Sequence, residues 1–409
     1  MARRPSRIDP TRPLASKAPL AGTASEVFVA FLKLGLISFG GPIAHLGYFR
    51  AEFVERRRWL SEQAFVDLIA LAQFLPGPAS SQTGFAIGLM RAGYAGGGAA
   101  WLGFTLPSAF LLILFAWGAG SLADTRWGLG LLHGLKLVAV AIVAQAVMGM
   151  ARSLCPDRAR ASIAVMAIFV YLALSGSLGQ IVAILFGGAA GLVVRRGAVD
   201  GRAIAMPVPV SRAAALAFLA LFFGLLGLTF VPAGRTPIGL FDAFYRSGAL
   251  VFGGGHVVLP LLHGAVVDKG WISDSAFLAG YGAAQAVPGP LFTFAAYLGA
   301  AASVPPGDVA NALIALIAIF LPGVLILMGT LPFWQSLSGR PQARAAMQGV
   351  NASVVGLLAV VLYNPVWTSA VITPLDFAIV AAAFALLVAW RAPPLAAVLL
   401  CAAAGLAMR

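Results

Sequence analysis

Two pairs of short runs in this 409-residue chain combine residue types suited to holding an anion. In the first half Phe39-Gly40-Gly41-Pro42 is followed by Pro76-Gly77-Pro78; in the second, Phe252-Gly253-Gly254-Gly255 is followed by Pro288-Gly289-Pro290. Proline lacks an amide hydrogen and glycine tolerates left-handed backbone, so each run ends one half-helix and lets another begin. The free amides of Ala79, Ser80 and Ser81, or of Leu291, Phe292 and Thr293, would then present the positive end of a helix dipole, which binds anions. A lone Pro-Gly-Pro reads as a kink, because glycine and proline are common in membrane helices. Corresponding interruptions in two halves point to a transporter site.

Charged and polar neighbours carry the same sign. Lys33 and Arg246 fall on equivalent positions about two turns before each glycine break, and Lys136 sits mid-segment where the other half has Asn351. Cations inside a membrane are costly and functional by default, and Asp67 is the acid read at comparable depth, which leaves room for an anionic substrate. The bland alternative is that Lys33 and Arg246 snorkel to headgroups. Gln73 and Gln285, just before each Pro-Gly-Pro, would either donate to an oxyanion or hold helices together. His45 and His256 follow the glycine breaks and would either carry a proton or hydrogen-bond at an interface. No histidine pair has metal-ligand spacing, and there is no HExxH, phosphate loop or dinucleotide fingerprint, so neither metal nor cofactor is expected. Cys155 and Cys401 form no ligand spacing and read as apolar fillers.

These residues need an apolar scaffold. The chain is 60% hydrophobic and 10% charged, with a mean hydropathy of +0.93. Soluble domains are about a quarter charged, so the bilayer is the solvent. At roughly 20 residues per spanning helix no length remains for a soluble catalytic or nucleotide-binding domain. The net charge of +13 reflects basic cytoplasmic loops, not a nucleic-acid partner.

The chain also repeats. Phe31 to Gly41 aligns with Phe244 to Gly254 at an offset of 213. Trp59, Ser61, Gln73 and Pro76-Gly77-Pro78 meet Trp271, Ser273, Gln285 and Pro288-Gly289-Pro290 at 212, and Leu106-Pro107 and Gly134 meet Leu321-Pro322 and Gly349 at 215. The expected organisation is a basic cytoplasmic tail (1–26), a first repeat (27–195), a basic loop with a linker helix (196–239) and a second repeat (240–409). If the first two segments of each half dip in and return, twenty of the 27 Lys and Arg lie on the N-terminal side. Arg126, Arg235, Lys269 and Arg409 lie opposite, and full crossings give a weaker bias; the N-terminus is therefore inside. The odd linker helix inverts the second half. The fold class is an all-α polytopic membrane protein with two homologous halves as an inverted repeat of broken or re-entrant helices.

The Lys-Leu-Gly and Ser-Phe-Gly-Gly-Pro of residues 33–42, Trp59-Leu60-Ser61, and Gln73 to Pro78, with their second copies, resemble the chromate transporter family in its long, two-domain branch. The resemblance covers nearly the whole chain. It implies a bacterial inner (plasma) membrane protein that exports chromate from the cytoplasm, with sulfate as the structural analogue; the residues alone give an inverted-repeat transporter for an anion. The second copy departs at Gly255 for Pro42 and Asn351 for Lys136. Another oxyanion, an anion channel and a membrane-embedded reductase stay as alternatives, and a homodimer stays open.

Overall fold

The computed structural model describes residues 22–174, 176–194, 209–252, 257–305, 307–334 and 340–408. Within them the regular elements are helices, with no strand. The first half holds α1 (Ala24–Ile37), α2 (Gly41–Phe49), α3 (Glu62–Phe74), α4 (Ala79–Ala123), α5 (Arg126–Leu154), α6 (Arg158–Leu174) and α7 (Gly176–Val194). The linker helix is α8 (Arg212–Leu228). The second half holds α9 (Pro237–Ala249), α10 (Val258–Leu262), α11 (Asp274–Ala286), α12 (Phe294–Ala301), α13 (Asp308–Thr330), α14 (Pro341–Val361), α15 (Pro374–Val388) and α16 (Pro394–Ala407). The stretches Ala79–Ala119, Arg126–Leu154, Asp308–Phe333 and Pro341–Ala370 are each long and apolar enough to cross a bilayer. The first of these is two arms, not one rod: Ala92 and Gly93 leave helical geometry, and a Cβ on Gly88 would lie 2.3 Å from the Gly96 carbonyl oxygen. Those arms are the counterparts of α12 and α13.

Start signals repeat as the sequence does. Thr23 and Thr236 cap α1 and α9 by accepting from the amides of Glu26 and Gly239. Ser61 and Ser273 do the same for α3 and α11 through Ala64 and Ala276. Such caps satisfy amides that have no partner in the first turn.

The broken helices are re-entrant. Glu26 at the start of α1 pairs with Arg91 at the α4 fold-back (3.1 Å) and with Arg57 beyond α2 (3.8 Å), and the Gly22 amide donates to the Arg91 carbonyl. Both broken pairs thus return to the end from which they enter. In the second half Arg235 gathers the equivalent points, donating to the Gly270 carbonyl beyond α10 (3.2 Å) and to the Ser303 hydroxyl at the α12–α13 turn.

A charged clasp also recurs. Arg50, in a π-helical turn after α2, pairs with Glu55 and with Glu62 at 2.8 Å. His263, in the π-helical turn after α10, pairs with Asp268 at 3.2 Å and Asp274 at 2.7 Å. The three positions correspond at the repeat offsets.

The halves exchange their last helices. α6 and α7 pack on α14, while α15 and α16 pack on α5. Glycine permits the approach: a Cβ on Gly349 would stand 2.0 Å from the Gly187 carbonyl oxygen, and one on Gly134 would stand 2.3 Å from that of Cys401. Close backbone approach through small residues is how membrane helices associate without a hydrophobic drive. Buried Cys401 is a packing residue at this seam.

Candidate functional site

The four breaks meet pairwise across the halves. At Pro76-Gly77-Pro78 the backbone turns through Gly77 with φ 119°, and its amide donates to the Val251 carbonyl oxygen at 2.7 Å. At Pro288-Gly289-Pro290 the turn is at Gly289 with φ 103°, and its amide donates to the Ser38 carbonyl oxygen at 2.9 Å. Ser38 and Val251 are themselves equivalent, each just before its glycine run. Each half's Pro-Gly-Pro is therefore hydrogen-bonded to the other half's glycine break. Gly40 (φ 102°) and Gly41 (φ 77°) make the left-handed turn that starts α2. Gly253, Gly254 and His256 lie outside the described residues.

Helix starts line this junction. Pro78 caps α4 and its carbonyl accepts from the Gln82 amide at 2.9 Å, which leaves the first-turn amides of Ala79, Ser80 and Ser81 with no intrahelical acceptor. In the second half a 3-10 turn runs over Leu291–Thr293. It takes up both the amide of Thr293 (3.0 Å) and its hydroxyl (2.7 Å) on the Pro290 carbonyl. The amide expected to be free at Thr293 is therefore used internally, because the tighter turn bonds one residue earlier. Gln82 donates to the carbonyls of Pro76 and Gly323, both at 2.9 Å. His45 is 1% exposed; its Nδ1 lies 3.4 Å from the Ser80 hydroxyl, and its ring meets Phe104 edge-on.

The cations do not converge on the junction. Lys33 is exposed on α1, and Gln73 is exposed on α3. Arg246 is half-buried, donates to the Thr229 carbonyl at 3.4 Å, and lines a cleft with Gln180, Ser247 and Leu261. Lys136 is half-buried on α5, and Gln285 is half-buried at the end of α11 with its Nε2 buried. The junction thus gathers Gly77, Pro78, Ser80, Ser81, His45 and Gly289, with Pro76, Pro288 and Pro290 shaping the turns.

Several polar groups escape the sequence reading. Buried Thr105 and Ser108 flank the Leu106-Pro107 pair that the repeat marks, and the Ser108 hydroxyl donates to the Thr105 carbonyl at 3.1 Å. Ser38 was legible only as a residue beside the glycine run. His133 on α5 pairs with Asp376 on α15 at 2.7 Å, both buried; Asp376 reads locally as a cap residue. Among the described residues no cluster of His, Cys, Asp or Glu could hold a metal ion.

Comparison with known proteins agrees with this architecture. The family model described as "Chromate transporter" matches twice, over residues 25–192 and 238–406. The chain is 30% identical over 389 residues to the "Chromate transport protein" of Pseudomonas aeruginosa, covering 93% of this chain and 91% of the relative. It is 28% identical over 333 residues to a "Probable chromate transport protein" of Synechococcus elongatus, covering 80% and 81%. Against the "Chromate transport protein" of Cupriavidus metallidurans it is 27% identical over 350 residues, covering 82% and 81%. No solved structure matches. With two matches that together span most of a helical, apolar, internally repeated chain, this multi-pass membrane protein belongs to the chromate transporter family.

Proposed function

We propose that the protein exports chromate, or a closely related tetrahedral oxyanion, across the bacterial inner membrane by alternating access, with its N-terminus in the cytoplasm. The observation that carries this reading is the crossed pair of hydrogen bonds, Gly77 to Val251 and Gly289 to Ser38. It ties every break of one half to a break of the other, so a rocking of the halves must pass through the place where free helix amides face inward. Helix N-termini at a repeat interface are the recurrent way to hold an anion in such transporters. Lys33, Lys136 and Arg246, away from the junction, would raise the positive potential along the approach. Export of a dianion from a negative interior is downhill by about 2.3 kcal/mol per charge per 100 mV, so proton coupling is not required.

The test is uptake of labelled chromate into inverted vesicles under a set potential and pH gradient, with and without excess sulfate. Saturable uptake that follows the potential and is inhibited by sulfate is expected. Chromate flux indifferent to the potential would reject the electrogenic mechanism. A sulfate flux with no chromate flux would favour the second reading, a transporter of sulfate itself.

A further inference from the structure

The repeat pairs the two sides of the junction position by position, which exposes how unlike they are in side chains. On the Gly77 side the space is filled: a Cβ on Gly77 would lie 2.9 Å from the Gly323 Cα and 3.0 Å from the Gln82 Nε2, and that amide already serves two carbonyls. On the Gly289 side the residue equivalent to Gly323 is Ser108, whose hydroxyl stands 2.7 Å from where a Gly289 Cβ would be. The Phe104 carbonyl borders the same point, and the Phe104 ring is covered by His45.

Polarity divides in the same way. Ser38, Ser80 and Thr105 of the first half stand where the second half has Val251, Phe292 and Phe320. Ser38 Oγ, His45 Nε2, Ser81 Oγ and Thr105 Oγ1 are buried with no hydrogen-bond partner. Their residues are 0%, 1%, 6% and 1% exposed. A buried polar group without a partner is destabilising, and native interiors rarely keep several together. The second-half equivalents of Ser38, His45 and Thr105 are the hydrocarbon side chains of Val251, Val258 and Phe320, and Thr293, the equivalent of Ser81, donates its hydroxyl to the Pro290 carbonyl.

We infer that the oxyanion is bound at the junction by uncharged donors of the first half: Ser38, His45, Ser80 and Thr105, with the free amides at the start of α4. The inference rests on the transport reading above and adds which half recognises the substrate. A tetrahedral dianion accepts many hydrogen bonds, and hydroxyl, imidazole and amide donors at a helix start supply them without a fixed counter-charge. The second half contributes the Gly289 turn and the apolar wall.

The experiment is labelled chromate uptake by inverted proteoliposomes, with folded protein verified by gel filtration for each variant. Thr105→Val and Ser80→Ala are expected to raise the half-saturating concentration by about tenfold to a hundredfold, the usual effect of losing a hydrogen bond to an ion. Thr105→Ser, which keeps the hydroxyl, should stay within about threefold of the parent, and Thr293→Val within about twofold. Equal losses at Thr105 and Thr293, or no loss at both Thr105 and Ser80, would overturn the first-half site while leaving transport intact. Absence of chromate uptake by the folded parent protein would overturn the transport reading, and this inference with it.

Discussion

The amide of Gly77 donates to the carbonyl oxygen of Val251 at 2.7 Å, tying the first half's Pro-Gly-Pro to the second half's glycine break. The bond exists because Gly77 holds φ at 119°, where L residues are strained, and because no Cβ separates it from Gly323. Gly77→Ala should therefore combine backbone strain with overpacking, a loss of about 3 kcal/mol or more. Gly41→Ala, at φ 77° with open space around it, pays for strain alone and should cost about 1–2 kcal/mol. Denaturant unfolding in detergent would measure both, and equal costs would refute the role given to the Gly323 contact.

At the half-to-half seam the expected outcomes differ between adjacent residues. Gly349→Ala drives a methyl against the Gly187 carbonyl oxygen, 2.0 Å away, whereas Gly188→Ala meets only the Val350 Cγ2, at 3.4 Å. The first should destabilise by about 1–3 kcal/mol, and Gly134→Ala should match it because its backbone neighbour is as close. Gly188→Ala should stay within about 0.5 kcal/mol of the parent. Thermal unfolding of the purified protein decides; similar shifts for Gly349 and Gly188 would show that the helices slide apart without penalty.

The breaks and the division into two related halves were legible because they follow from local chemistry and from the repeat itself: proline and glycine end helices, and the same runs recur at a fixed offset. The crossing of Gly77 to Val251 and of Gly289 to Ser38 was not, since no local pattern says which break meets which. Lys33 shows a second limit. On a helix as apolar as α1 the hydrophobic pattern does not mark the buried face, and only packing against α4 turns Lys33 outward. Nothing in the sequence singles out Thr105 and Ser108 beyond their places beside Leu106-Pro107; it is the fold that sets Ser108 against Gly289.

The His133–Asp376 pair links α5 to α15 in a buried setting, but its partners are not equally dependent on it. Asp376 also accepts from the amides of Ile372 (3.1 Å) and Thr373 (2.8 Å) and from the Thr373 hydroxyl (2.9 Å). Asp376→Ala thus strands four donors and should cost about 3–5 kcal/mol. His133→Gln leaves the carboxylate three of its bonds and should cost about 1 kcal/mol. Unfolding measurements that ranked the two variants the other way would contradict this division.

The two clasps titrate differently. Arg50 keeps its charge at all ordinary pH values, but its counterpart is His263, in the π-helical turn after α10. Burial pulls the His263 pKa down, yet hydrogen bonds and charge from Asp268 and Asp274 more than offset it, so the imidazole lies above its ordinary 6.5. Its folded pKa is raised, so the clasp's stability is fully present below about 6.5 and is lost as pH climbs through the folded value. The carboxylates are 44% and 45% exposed, which limits the effect to about 1 kcal/mol or less. Melting curves should show the parent losing about 1 °C more than His263→Arg between about pH 6 and pH 8.5. Parallel curves for the two proteins would mean that the second clasp contributes nothing that protonation controls. In the orientation proposed above His263 faces outward and Arg50 the cytoplasm, so acidity outside would tighten only the second half's re-entrant pair.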